Sequence, residues 1–160
     1  MSDDPMTAER IFEMISGEAV CSFSSLEGNR IRTHPMSPQF VEGERTIWFM
    51  TEAGASKLGD LRADSDVTLA FSDMASGNYV SLMGNAKVVQ DRDRVRQLWK
   101  APLKQYFEGP EDPKIVLIAF VADEADYWDG PNALVAGIKM LTTAATGEPS
   151  DLGDSGRIPM

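Results

Sequence analysis

The sequence predicts a mainly β protein: an antiparallel barrel of about six strands, closed or partly closed, with short helices between them. Three observations carry that reading. Apolar residues recur with period two in segment after segment, turn residues separate those segments, and strands and helices do not alternate in the regular way a parallel sheet requires. At 160 residues the chain fits one domain built on one core.

Met6, Ile11, Met14 and Ile15 share one helical face over residues 5–15, and Gly17 ends that helix. "EAVCSFSSLEGNRIRTHPMSP" then alternates through Ala19, Cys21 and Phe23, turns at Glu27-Gly28-Asn29, and resumes with Ile31 and Thr33. This is a β-hairpin. Neither Pro35 nor Pro38 can donate to a ladder, so its second strand should be an edge or carry a bulge. "RTIWFMT" reads as the third strand, and "ASKLGDLRAD" as a short helix that turns Leu58 and Leu61 inward. "DVTLAFSD" and "NYVSLMGNAKVVQ" are two more strands joined at Gly77-Asn78.

"DRDRVRQLWKAPLKQYF" predicts a helix with Asp91 as N-cap and Pro102 as its break or kink. "PKIVLIAFVADEADYWD" is a long strand and "NALVAGIKMLTTAA" a last helix. The expected organisation is therefore one domain over 1–160: a core at about 8–130, a C-terminal helix at 132–146 and a polar tail at 147–160.

Composition excludes several classes of function. With 15 basic and 25 acidic residues the formal charge is −10, which repels nucleic acid and anionic lipid. A small anion must then be held by a few local donors. Cys21 is the only cysteine, so no intrachain disulfide or thiolate cluster can form. Its plain reading is a small apolar strand residue. The start "MSDDPMTAER" lacks the basic-then-apolar order of a signal peptide, and no apolar run reaches the ~20 residues of a membrane span, so a cytoplasmic protein is expected.

No internal repeat, GxGxxG, Walker loop, HExxH or GxSxG is present. His34 is the sole histidine, which rules out multi-histidine metal sites. Its plain reading is a half-buried polar residue at a strand end.

One combination of residues stands out. Arg32 lies on one strand, Trp48, Phe49 and Met50 on another with Thr51 at its end, and Ser56-Lys57 opens the helix that follows. Together they describe a site for a flat ring with a phosphate tail. The ring needs apolar walls and a few polar groups, and the phosphate needs amides, a hydroxyl and a cation near a helix N-terminus. Taken alone, Ser56-Lys57 would be a solvated helix start.

"IRTHPMSP", "IWFMTEAGASKLGDLRADSDVTLAFSD" and "NYVSLMGNAKVV" resemble, in order and spacing, the FMN-binding split barrels related to pyridoxamine 5′-phosphate oxidase. "LWKAPLKQYFEGPEDPKIVLIAFVADEADYWDGP" and "GEPSDLGDSGRIP" are similar to the general stress protein 26 branch. The resemblance runs from about Ala8 onward. It implies a six-stranded antiparallel split β-barrel and a homodimer with two FMN sites at the subunit interface.

Carried over by residue, it implies that Arg32, Thr33, His34, Pro35 and Met36 lie along the isoalloxazine. Arg32 and the backbone from His34 to Met36 would serve its polar edge. Phe49, Met50 and Thr51 would follow the ring and ribityl chain, and Ser56 and Lys57 would form the phosphate corner. The parent oxidases more often show an Arg-Lys pair there, so Arg32 or Arg62 could assist. Trp99, Lys104 and Trp128 are candidates to complete the site from the second subunit. Each tryptophan reads equally as core, and Tyr79 is similarly open.

The vitamin-oxidising members carry an Arg-x-His-type cluster after a late tryptophan. Here "YWDGPNALVAGIKM" has no Arg or His, so oxidation of pyridoxine phosphate is not expected. The resemblance thus implies a flavin-dependent oxidoreductase with a small-molecule substrate and a nicotinamide donor, or a flavin-binding stress protein without turnover. FAD or a deazaflavin could replace FMN, and a haem reading would rest on His34 alone.

Overall fold

The computed structural model describes residues 5–131, 133–149 and 153–160. Its elements run α1 (Ala8–Ile15), β1 (Cys21–Glu27), β2 (Arg30–Met36), β3 (Gln39–Phe40), β4 (Ile47–Glu52), α2 (Ser56–Ala63), β5 (Asp66–Asp73), β6 (Asn78–Val89), α3 (Arg92–Leu98), β7 (Ile115–Asp129), α4 (Ala133–Thr146) and β8 (Asp154–Pro159), with a 3-10 turn at Ala101–Gln105. All strand pairs are antiparallel, in the order β2-β1-β5-β6-β7-β4-β3, and β8 adds to β7. The protein is thus mainly β with a few helices, as the alternation predicts.

Local chemistry sets several boundaries. Thr7 caps α1 by accepting from the Arg10 amide. Gly28 takes φ +62° in the two-residue turn between β1 and β2, where a side chain would be strained. β2, with its proline, is an edge strand. At the β6–β7 bulge a Cβ on Gly84 would stand 2.0 Å from the Val121 carbonyl, so only glycine fits that crossing.

Two cores explain the unbroken apolar runs. The main one gathers Phe23, Phe49, Leu69, Leu82, Ile118 and Phe120 inside the barrel, with Phe23 and Phe49 edge to face at 5.3 Å. The second lies on the outer side of β4 and β7 under α3, and joins Trp48, Val95, Leu98, Ile115 and Leu117. Successive residues of one strand point to opposite faces, so Val116 and Ile118 serve one core while Ile115 and Leu117 serve the other. A strand covered on both faces loses its alternation.

The outcome differs from the sequence expectation in three places. All six expected strands form, but so do the two-residue β3 and a C-terminal strand. Within the expected polar tail, Asp154–Pro159 pair with Glu124–Asp129 of β7, Arg157 forms a two-pronged ion pair with Asp126, and Ile158 and Met160 pack on the main core. The helix capped by Asp91 ends at Leu98, because Trp99 turns extended before the 3-10 turn that holds Pro102 in its first positions. Residue 132, expected to begin the last helix, and residues 1–4 of the acidic start lie outside the described residues.

Candidate functional site

The alternation of β2 divides its candidates between two faces. Met36 sits across from Cys21 and His34 across from Phe23, so Arg32, His34 and Met36 share the face that continues the barrel interior. Thr33 and Pro35 point the other way, and the Thr33 hydroxyl meets that of Ser24 at 2.9 Å. Near the barrel interior Met36 is buried, His34 is half-buried and Arg32 is exposed. The Arg32 guanidinium is held by Glu27 at 2.5 Å.

Lys57, at the second position of α2, closes the approach to this face. Its ammonium donates to Met36 Sδ at 3.2 Å. Among the described residues no carboxylate lies within ion-pair distance of it. Burial pushes the Lys57 amine below its ordinary value of 10.5, because removing an ammonium from water favours its neutral form. A half-buried cation facing only a thioether is an unusual expense in a chain this acidic.

The helix start beside it is also open. Ala55 stands at the N-cap and offers no side-chain acceptor. The Leu58 amide reaches the Ala55 carbonyl and the Ala55 amide reaches the Glu52 carbonyl, while the Ser56 and Lys57 amides have no partner among the described residues. Orphan amides, an exposed Ser56 hydroxyl and the positive end of the helix dipole make an anion site together with the Lys57 ammonium. The donor set therefore fits a phosphate group.

The remaining expected residues lie as follows. The Phe49 side chain is fully buried in the main core. Met50 turns to the second core, against which Trp99 of the same chain also packs. Thr51 lies at the end of β4 and is 8% exposed. Lys104 is exposed on the 3-10 turn. Within this one chain, then, Met36, Ser56 and Lys57 come together, with His34 and Arg32 on the same strand face, while Trp99 and Met50 belong to a packed layer under α3.

One neighbouring network was not foreseen, and one plain reading holds. Trp48 donates to Glu44 at 3.1 Å and lies under the Arg94 guanidinium at 4.7 Å, with Arg94 also bonded to Glu44 at 2.7 Å. This network pins α3 over the second core, and the Arg residues of "DRDRVRQL" gave a signal of it only as a charged helix face. Cys21 is buried and its thiol is pushed up to about 12 by desolvation, so it is an inert strand residue. Among the described residues no cluster of His, Cys, Asp or Glu could hold a metal, and no helix is long and apolar enough to cross a membrane.

The family model described as pyridoxamine 5′-phosphate oxidase like matches residues 6–151. Protein bli-3 of Neurospora crassa is 29% identical over 114 residues, which are 65% of this chain and 54% of that protein, so the chain spans about half the length of that curated relative. Among solved structures, a protein of Jannaschia sp. CCS1 named as a general stress protein 26 superposes with a TM-score of 0.79 at 20% identity, over 93% of this chain and 95% of that one. The general stress FMN/FAD binding protein of Xanthomonas citri gives a TM-score of 0.70 at 27% identity, over 82% and 94%.

Proposed function

Because the chain belongs to the pyridoxamine 5′-phosphate oxidase-like family, we propose that it is an FMN-binding split-barrel protein of the general stress type. Its flavin would lie along β2 with the phosphate at the start of α2. The single observation that carries this reading is the half-buried Lys57 ammonium, which among the described residues has no carboxylate partner, beside the open amides of Ser56 and Lys57. A phosphate dianion supplies what that cluster lacks. The FMN/FAD binding of the Xanthomonas citri protein, at 27% identity, supports the same cofactor class.

In this reading Lys57, Ser56 and the α2 amides bind the phosphate, and Thr51 at the end of β4 lies toward the ribityl chain. The β2 face of Arg32, His34 and Met36 orients the ring. Arg32 would exchange Glu27 for the polar edge of the ring and so favour negative charge there. When bound, the flavin supplies hydride chemistry at its N5. No strong base is required of the chain, and the activity proposed is a flavin-dependent oxidoreductase acting on a small molecule with a nicotinamide donor. The protein would work in the cytoplasm as a homodimer whose flavin sites lie at the subunit interface, with Lys104 and Trp128 available to the partner's site.

A second reading, flavin binding or buffering without turnover, is favoured by one observation. After Trp128 the chain enters α4, whose only charged residue is Lys139, with no Arg or His to grip a phosphorylated substrate. The absorption spectrum of the purified protein, with the released cofactor identified by mass, tests the flavin assignment. A flavin spectrum is expected, and a Soret band or a failed FMN titration would overturn it. Reduction of the bound flavin by NADH or NADPH and its reoxidation by an acceptor then separates turnover from storage.

A further inference from the structure

Three buried side-chain atoms have no hydrogen-bond partner among the described residues: Ser25 Oγ, Gln39 Oε1 and Asn78 Oδ1. A buried polar group left unpaired costs stability, so each one calls for a reason. Ser25 is the one that stands across from a candidate site residue, because its partner on β2 is Arg32. It is 2% exposed, on the face of β1 that also buries Cys21 and Phe23 in the main core.

One row of the sheet runs through Arg32, Ser25, Val67, Gly84 and Ala122, across β2, β1, β5, β6 and β7. Val67 and Ala122 are apolar and Gly84 has no side chain, so Arg32 is the only other residue of this row with a polar side chain. Directly opposite residues of an antiparallel pair hold their Cβ atoms about 4.5–5.5 Å apart, whereas diagonal neighbours, such as His34 here, lie about 7–8 Å away. Arg32 therefore faces Ser25 directly. Its guanidinium is turned instead to Glu27, two residues further along β1, in a pair whose side chains are 53% and 45% exposed. One guanidinium thus has two acceptors within its range, an exposed carboxylate and a buried hydroxyl.

We propose that Ser25 is a positioning residue for Arg32. When a ring with a polar edge lies along β2, Arg32 leaves Glu27, donates one N–H to Ser25 Oγ and keeps its other N–H groups for the ring. A guanidinium carries five donors in a fixed plane and a hydroxyl offers two lone pairs, so both contacts can be made together. The unpaired hydroxyl is then a cost of the ligand-free chain that the loaded chain relieves. The inference rests on the flavin reading above and names the residue that fixes Arg32 at the ring edge.

The test compares full-length Ser25→Ala, Arg32→Met and the double variant. Ser25→Ala deletes only the unpaired hydroxyl, so the ligand-free urea midpoint should hold or rise. Its FMN affinity should fall roughly 2- to 12-fold, the net worth of one ordinary hydrogen bond. The midpoint potential of the bound flavin should become more negative, because a loosely held guanidinium stabilises negative charge on the reduced ring less well. In the Arg32→Met background, Ser25→Ala should change neither affinity nor potential, since the group it positions is gone.

Native affinity and potential in Ser25→Ala, or losses of the same size in the Arg32→Met background, would overturn the proposal. A lowered ligand-free urea midpoint would also overturn it, because the hydroxyl would then have a structural partner already. FMN titration of the native chain keeps the two readings apart. A native chain that binds no FMN removes the flavin reading and this inference with it, whereas native binding indifferent to Ser25→Ala removes this inference alone.

Discussion

Replacing Lys57 by Met tests the phosphate corner because methionine keeps the length and apolar stem of the side chain and removes only its charge. In the native chain the ammonium has Met36 Sδ at 3.2 Å as its partner and is depressed by burial. Lys57→Met should therefore leave the fold intact. A hydrogen bond to a charged group is worth about 1.5–3 kcal/mol, so losing the ammonium–phosphate contact should weaken FMN binding roughly 10- to 150-fold. Binding should not vanish, since the Ser56 and Lys57 amides remain. Riboflavin, which has no phosphate, provides the control in the same fluorescence titration, and its affinity should not change.

The pH dependence has a definite sign. The folded state lowers the Lys57 value below 10.5, so between the lowered value and 10.5 the unfolded chain holds more protons and ligand-free stability rises with pH. Lys57→Met should abolish that rise. Equal losses for FMN and riboflavin, or no loss for either, would refute the assignment of Lys57 to the phosphate.

Three other perturbations address the frame around the site. Phe49→Ala empties a fully buried position and breaks the edge-to-face pair with Phe23, which should cost about 3–5 kcal/mol and lower the urea midpoint without changing its slope. Asp112 accepts from the Glu108 and Lys114 amides at 3.0 and 2.9 Å, and these bonds hold its carboxyl below the ordinary 3.8. Its stabilising contribution is present above 3.8 and lost as pH falls through the depressed value, so Asp112→Asn should be less stable at neutral pH and lack that part of the acid transition in a thermal-melt series. Truncation after Gly153 removes β8 with the Arg157–Asp126 pair. It should lower the melting temperature and speed amide exchange in residues 124–129 of β7 while leaving the β1–β2 hairpin protected.

What the sequence made legible were features decided locally. The β1–β2 hairpin followed from period-two alternation and a glycine turn, β5 from a clean alternating run, and the α2 start from small residues followed by Ser-Lys. What stayed hidden was decided by distant partners. "DSGRIP" has no period of its own and becomes a strand only because the far half of β7 presents an open edge beyond β4. "IWFM" announced burial but not which side chain meets which layer, so Phe49 and Met50 could both be assigned to a ring although they serve two separate cores. Trp99 was ambiguous for the same reason. An indole on a helical segment carries no sign of whether its cover is its own sheet or a partner.

The pairing of Asp129 with Asp154 bears also on how such a protein can change over generations. Both ends of the segment between them are fixed by one rung, so its length and content are uncoupled from the register of the barrel. Replaced by a short turn, the segment would leave β7 and β8 as an ordinary hairpin. The proposed phosphate corner at the start of α2 lies between β4 and β5, outside this segment. Selection could therefore lengthen, shorten or recolour this insert while the β7–β8 register is inherited untouched.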